Sequence, residues 1–146
     1  MSDFMTGMRI SSSGMTAQRL RMNTISSNIA NINTTRTPEG GPYRRKDVVL
    51  EAIPDAKTFG EVLTAVPDRE MNRVQVTDVI SDTKAPILKY DPTHPDAGPD
   101  GNVAMPNVNL MEEMANMIQA TRSYEANVSA MQATKDMAMS ALQLGR

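Results

Sequence analysis

Along the first thirty or so positions apolar residues recur at the spacing of a helix with one narrow stripe. Met8, Met15, Met22 and Ile29 share one heptad position, Phe4, Ser11, Gln18, Ile25 and Ile32 share the other, and seven of these nine are apolar. Their neighbours Gly7, Gly14, Ala17, Arg19, Arg21 and Ala30 are small or charged, so the stripe has the width of a coiled-coil seam rather than a globular helix face. The pattern predicts a helix from about Asp3 to Asn33, a rod of roughly 45 Å that ends before Pro38. Much of its surface is Asn, Ser and Thr, which compete with the backbone for hydrogen bonds and favour caps and turns. A helix so constituted needs partners.

The last segment repeats the theme. From Leu110, steps of four and three reach Met114, Met117, Thr121, Tyr124, Val128, Met131, Lys135, Ala138 and Leu142. This predicts a helix from about Asn109 to Leu144, roughly 54 Å long, with Asn107 or Asn109 as N-cap and Glu112 and Glu113 against the positive end of its dipole.

Between the helices the period changes. "YRRKDVVLEAI" (residues 43–53), "RVQVTDVIS" (73–81) and "PILKY" (86–90) are short, β-branched and bounded by Pro, Gly and Asp, which predicts a small antiparallel β unit. "DPTHPDAGPDGNVAMPN" (91–107) carries prolines at 92, 95, 99 and 106 and is expected to be an extended, semi-rigid connector. The expected class is therefore mainly α with a small β insert, with long terminal helices packed as a coiled coil. The expected organisation is an N-terminal helix (1–35), a β-rich middle unit with its connector (36–106) and a C-terminal helix (107–146). Residues 52–73 fit no pattern and are read as a solvent-facing part of the middle unit.

Composition sharpens this picture. In 146 residues only 40% are apolar and 3% aromatic, so bulky material for a self-sufficient core is scarce, and thirteen methionines supply adaptable packing instead. The net charge of −2 and a single dense basic run, Arg44 to Lys46, give no nucleic-acid footprint. With no cysteine there are no disulfides or thiolate metal sites, a composition compatible with life outside the cytoplasm. The start "MSDFMTGMRISSSGM" has neither the basic opening nor the apolar run of a cleaved signal peptide, and no later run is long enough to span a membrane, so if the protein leaves the cytoplasm another route takes it.

Candidate chemistry is confined to the connector, where Asp91, His94, Asp96 and Asp100 crowd within ten residues. Taking Asp96 as the first position of a calcium loop puts Gly98 at the third and Asn107 at the twelfth, so the bidentate carboxylate is missing and turn chemistry accounts for the aspartates. His94 is the sole histidine and has no nucleophile to activate, and the adjacent Glu112 and Glu113 diverge by about 100° on a helix. No catalytic, cofactor-binding or metal-binding residue is expected.

"SSNIANINT" (26–34) resembles the N-terminal signature of the bacterial flagellar rod and hook family, and residues 107–146 resemble that family's C-terminal helix. The connector "YDPTHPDAGPDGNVAMPNVN" is similar to that of the family's proximal-rod branch, whereas "TRTPEGGPY" interposes extra residues before Tyr43. The resemblance implies a non-enzymatic axial building block of the flagellar basal body, exported through the flagellum's own type III export apparatus to a periplasmic rod. It also implies partners: copies of itself, other proximal and distal rod proteins, and the MS-ring and export-gate adaptor side of the basal body. On this resemblance the assembly interface comprises Met8, Met15, Met22, Ile25, Asn28, Ile29, Asn31 and Ile32 on the first helix. On the last helix it comprises Leu110, Met114, Met117, Tyr124, Val128, Met131 and Leu142. The alternatives are another rod component of the same family or a coiled-coil adaptor or export chaperone; the β unit and connector speak against the latter.

Overall fold

The computed structural model describes residues 2–54 and 72–144. Its elements are helix α1 (Ser2–Ala30), strands β1 (Lys46–Pro54), β2 (Asn72–Ser81), β3 (Ile87–Tyr90) and β4 (Asn102–Met105), and helix α2 (Leu110–Leu144). The unplaced stretch around residues 52–73 falls mostly on 55–71, outside the described residues.

The two helices lie side by side and antiparallel. Gly14 faces Asn127, Met22 receives a contact from Thr121, and Asn28 meets Glu113, so partners on α2 descend as α1 ascends. Gly14 lies close under the Asn127 side chain, since a β-carbon there would sit 3.0 Å from Asn127 Nδ2. Glycine inside a helix costs about 1 kcal/mol relative to alanine, and here it leaves room for the Asn127 amide, which a β-carbon would crowd.

The abundance of hydroxyls on α1 has a local explanation. Thr16 and Thr24 donate back to the carbonyls of Ser12 and Leu20, four residues earlier, and Ser13 donates to Ile10. Ser13 Oγ also accepts from Val74 N at 3.1 Å, which ties β2 to the helix. α1 ends at Ala30 and not near Asn33, because the Asn31 side chain donates to Ser27 O at 2.8 Å and Thr34 N closes a tight turn on Asn31 O.

The β reading needs one correction. β1 and β2 form an antiparallel pair with a bulge between Val49 and Leu50, and this pair packs on α1. β3 does not join them; it pairs with β4, a strand inside the proline-rich segment. That segment is accordingly not extended throughout. Three consecutive turns carry proline at their second position: His94 N bonds Asp91 O across Pro92, Ala97 N bonds His94 O across Pro95, and Gly101 N bonds Gly98 O across Pro99. Proline's fixed φ suits that position, and Gly101, at φ +72, supplies the left-handed residue that turns the chain into β4.

The core is small. The buried apolar side chains among the described residues are Ala17, Ile25, Val103, Val108 and Ala120, joined by the polar Asn28 and Glu113. All lie toward the end where α1 finishes and α2 begins. No helix among the described residues is long and apolar enough to cross a membrane.

Candidate assembly interface

At that end the chain builds a buried polar node from three separated segments. Asn28, fully buried near the end of α1, uses its whole hydrogen-bonding capacity. Its Nδ2 donates to Lys46 O at 2.8 Å and to Glu113 Oε2 at 3.0 Å, while its Oδ1 accepts from Lys46 N at 2.9 Å and from Tyr43 OH at 3.0 Å. The amide thus pairs with both backbone groups of the first residue of β1, as a neighbouring strand would. Glu113, 1% exposed in the first turn of α2, accepts from Arg45 Nε at 2.7 Å on its other oxygen. Arg45 also reaches Asp47 at 3.2 Å.

Burial alone would pull the Arg45 guanidinium down, but its hydrogen bond and charge pairing with Glu113, helped by Asp47, hold it above its ordinary value. Each ionised group keeps a partner, which is the condition for tolerating charge in a small core. Tyr43 reaches Asn28 because its N–H bonds Thr34 O, closing the 34–43 loop, in which Gly40 N bonds Thr37 O across Pro38. The extra residues before Tyr43 therefore form a tied turn.

α2 begins as expected: Asn109 is the N-cap, its Oδ1 accepting from Met111 N at 3.0 Å. Glu113, Ala120, Tyr124, Asn127 and Met131 share the side toward α1, within an arc of about 60°. Leu110 and Met114, placed on the same seam by the spacing, instead stand 43% and 51% exposed, beside Met111 at 74% and Ile118 at 57%. The stripe they form covers about 100° of the helix, next to the packed side. Met117, Tyr124, Val128 and Met131 are half-buried, and Leu142 is exposed.

Met8, Met15, Met22 and Ile29 on α1, and Asn31 and Ile32 in the turn after it, are half-buried, whereas Ile25 and Asn28 are buried within the chain. Asn31 spends its side chain on the local turn, donating to Ser27 O and accepting from Thr34. Reading by periodicity missed Glu113, Arg45 and Tyr43, whose partnership spans three segments, as well as Met111 and Ile118. A second apolar row at 111, 114 and 118 was the available signal for those two.

In the connector, Asp91 Oδ1 accepts from both the N–H and the hydroxyl of Thr93, and His94 Nδ1 accepts from Asp96 N. Asp91 is held below the usual carboxylate range chiefly by the Thr93 hydroxyl, then by the Thr93 N–H. Asp96 accepts from Thr35 Oγ1 at 2.8 Å, pinning the connector to the loop after α1.

Comparison with known proteins fits this architecture. Residues 8–36 match the family described as flagella basal body rod protein, and residues 100–144 match the flagellar basal body rod FlgEFG protein C-terminal family. The chain is similar to the flagellar basal-body rod protein FlgC of Bacillus subtilis (strain 168), at 43% identity covering 95% of this chain and 96% of that relative. It is 41% identical to the protein of the same name from Borreliella burgdorferi, covering 95% of each chain. The protein of that name from Escherichia coli O6:H1 is 40% identical, covering 94% of each chain. With similarity running through both helices, both hairpins and the connector, the chain belongs to the FlgC family of flagellar basal-body rod proteins.

Proposed function

We propose that this chain is a structural subunit of the proximal rod, which reaches its place through the flagellar type III export apparatus and assembles through its terminal helices into a hollow, torque-transmitting shaft. The observation that carries the reading is the apolar row Leu110, Met111, Met114 and Ile118, left open on α2 beside a helix pair whose own core is thin. Such a row on a long helix is best covered by another helix, and the heptad spacing of Met8, Met15, Met22 and Ile29 suits coiled-coil packing between subunits. Copies of the chain and other proximal and distal rod proteins are the partners, with the MS-ring and export-gate adaptor side of the basal body at one end. The axial helices occupy 1–35 and 107–146, and the middle unit 36–106. Nothing in the mechanism requires catalysis, a cofactor or nucleic acid.

The test is Met114→Asp together with Ile118→Asp. Both positions are exposed, so the fold survives, while a carboxylate buried without a partner at a subunit contact costs several kcal/mol. The expected outcome is export of the variant at wild-type level, its absence from purified basal bodies, and loss of motility. Normal motility with full incorporation would overturn the reading. Ile29→Asp on α1 is expected to behave the same way.

A further inference from the structure

Two neighbouring segments carry opposite charges that form no ion pair among the described residues. In the loop after α1 and the start of β1, Arg36, Arg44 and Lys46 border one recess of about 330 Å³, with Glu39 the lone carboxylate on its rim. All three cations are exposed, and none lies within 4.0 Å of a described carboxylate; the ion pairs in this region belong to Arg45 and Lys84. The connector's turns present the reverse: Asp91, Asp96 and Asp100 within ten residues, offset by Lys89 alone. Asp96 and Asp100 are exposed, and none of the three aspartates borders the recess.

The Thr35–Asp96 hydrogen bond holds the acidic turns beside the basic loop, so both lie at the same height on the molecule, the end where α1 finishes and α2 begins. A surface with a positive recess and an adjacent negative knob, unpaired internally, is complementary to a second copy set alongside it.

We infer that the connector turns of one copy dock into the Arg36–Arg44–Lys46 recess of a neighbouring copy. The contact rests on the rod reading above and adds a lateral, heterologous interface to it. Repeated in one direction from copy to copy, the pairing is head-to-tail around the shaft, each knob entering the next copy's recess. Charge complementarity selects the neighbour and sets its register, in the way interfacial charges steer association more than they add affinity. The prolines at 92, 95 and 99 make the acidic knob a rigid one, so little chain entropy is lost on docking.

The chain has no cysteine, which makes cross-linking clean. Basal bodies purified from cells carrying Arg44→Cys with Asp100→Cys, oxidised and run without reductant, should give a ladder at multiples of the 16.0 kDa chain; either single substitution should give none. A single fast-migrating monomer band would mean the two sites meet within one chain, and a product joining this chain to a different protein would mean the recess serves another subunit. Either result overturns the inference.

Charge reversal supplies the second arm. Arg44→Glu and Asp100→Lys should each lower incorporation on the order of tenfold, and the two combined should restore it, since a reversed pair still attracts. A double variant no better than either single one would refute the contact while leaving the rod assignment standing. Absence of the wild-type chain itself from basal bodies would sink the assignment first and the contact with it.

Discussion

Asn28 shows how one side chain can organise a chain that has little apolar core. Its amide satisfies both backbone groups of Lys46, one oxygen of Glu113 and the hydroxyl of Tyr43, so replacing it orphans groups in two other segments at once. Each buried group left without a partner costs about 1–3 kcal/mol. Glu113→Ala is expected to cost a similar amount, because it takes the Nε partner from the partly buried Arg45 guanidinium, which keeps only Asp47, and an acceptor from Asn28 Nδ2. Urea denaturation followed by circular dichroism measures both; a loss below about 1 kcal/mol for Glu113→Ala would mean water already serves the node. Asp91 gives a prediction of the opposite kind, on the surface. Its folded titration lies below the ordinary 3.8, so its turn is favoured above about pH 4, and this contribution is lost as pH falls through the lowered value. Carboxyl NMR should show the depressed midpoint, and Thr93→Val, which removes the hydroxyl but keeps the N–H, should return it part of the way.

At the scale of elements, both helices were legible because a period of three and four residues survives even in a polar helix. What periodicity could not decide was which of two apolar rows on α2 faces inward. Leu110 and Met114 fit the spacing, but Glu113 takes the inward position because an acid with Asn28 and Arg45 as partners can be buried, whereas a sequence read alone prices it as exposed. The strand β4 was hidden for a similar reason. "NVAM" follows so many prolines that the segment reads as open chain, yet those prolines set turns, and turns are what bring a strand back onto β3. This makes the connector's geometry testable. Gly101→Ala places a β-carbon 2.9 Å from the Tyr90 ring at φ +72, and the backbone alone costs about 1–2 kcal/mol, seen as a lower thermal midpoint and a shifted Tyr90 ring signal. Pro95→Gly with Pro99→Gly should cost about 1–2 kcal/mol through the unfolded chain's added freedom, and should impair assembly. His94→Ala, which loses only an exposed bond to Asp96 N, should leave flagella nearly normal. A His94→Ala defect larger than that of the proline pair would reverse this ranking and point to a ligand at the histidine.

Over the whole molecule, stability is graded along the helix pair. Every buried residue of α1 lies at or beyond position 17 and every buried residue of α2 at or before position 120, so positions 4–16 and 121–143 contain none. Midway along the seam Gln18 Oε1 is buried without a hydrogen-bond partner, a further cost to that stretch. Isolated helices of this kind are marginal in water, and most of their stability must come from packing. The two free ends together should therefore open and close readily in the monomer, while the end fastened by Asn28, Glu113 and Arg45 stays shut. Amide exchange on the purified chain should show slow exchange at 24–30 and 113–120, falling away toward 4–14 and 130–143. Uniform protection from end to end would show that the pair is stable by itself and needs no neighbour. In assembled rods the same free ends should become protected, because that is where neighbouring helices can bury the most surface; protection gained at the node and nowhere else would place the subunit contacts at the wrong end of the molecule for an axial helix bundle.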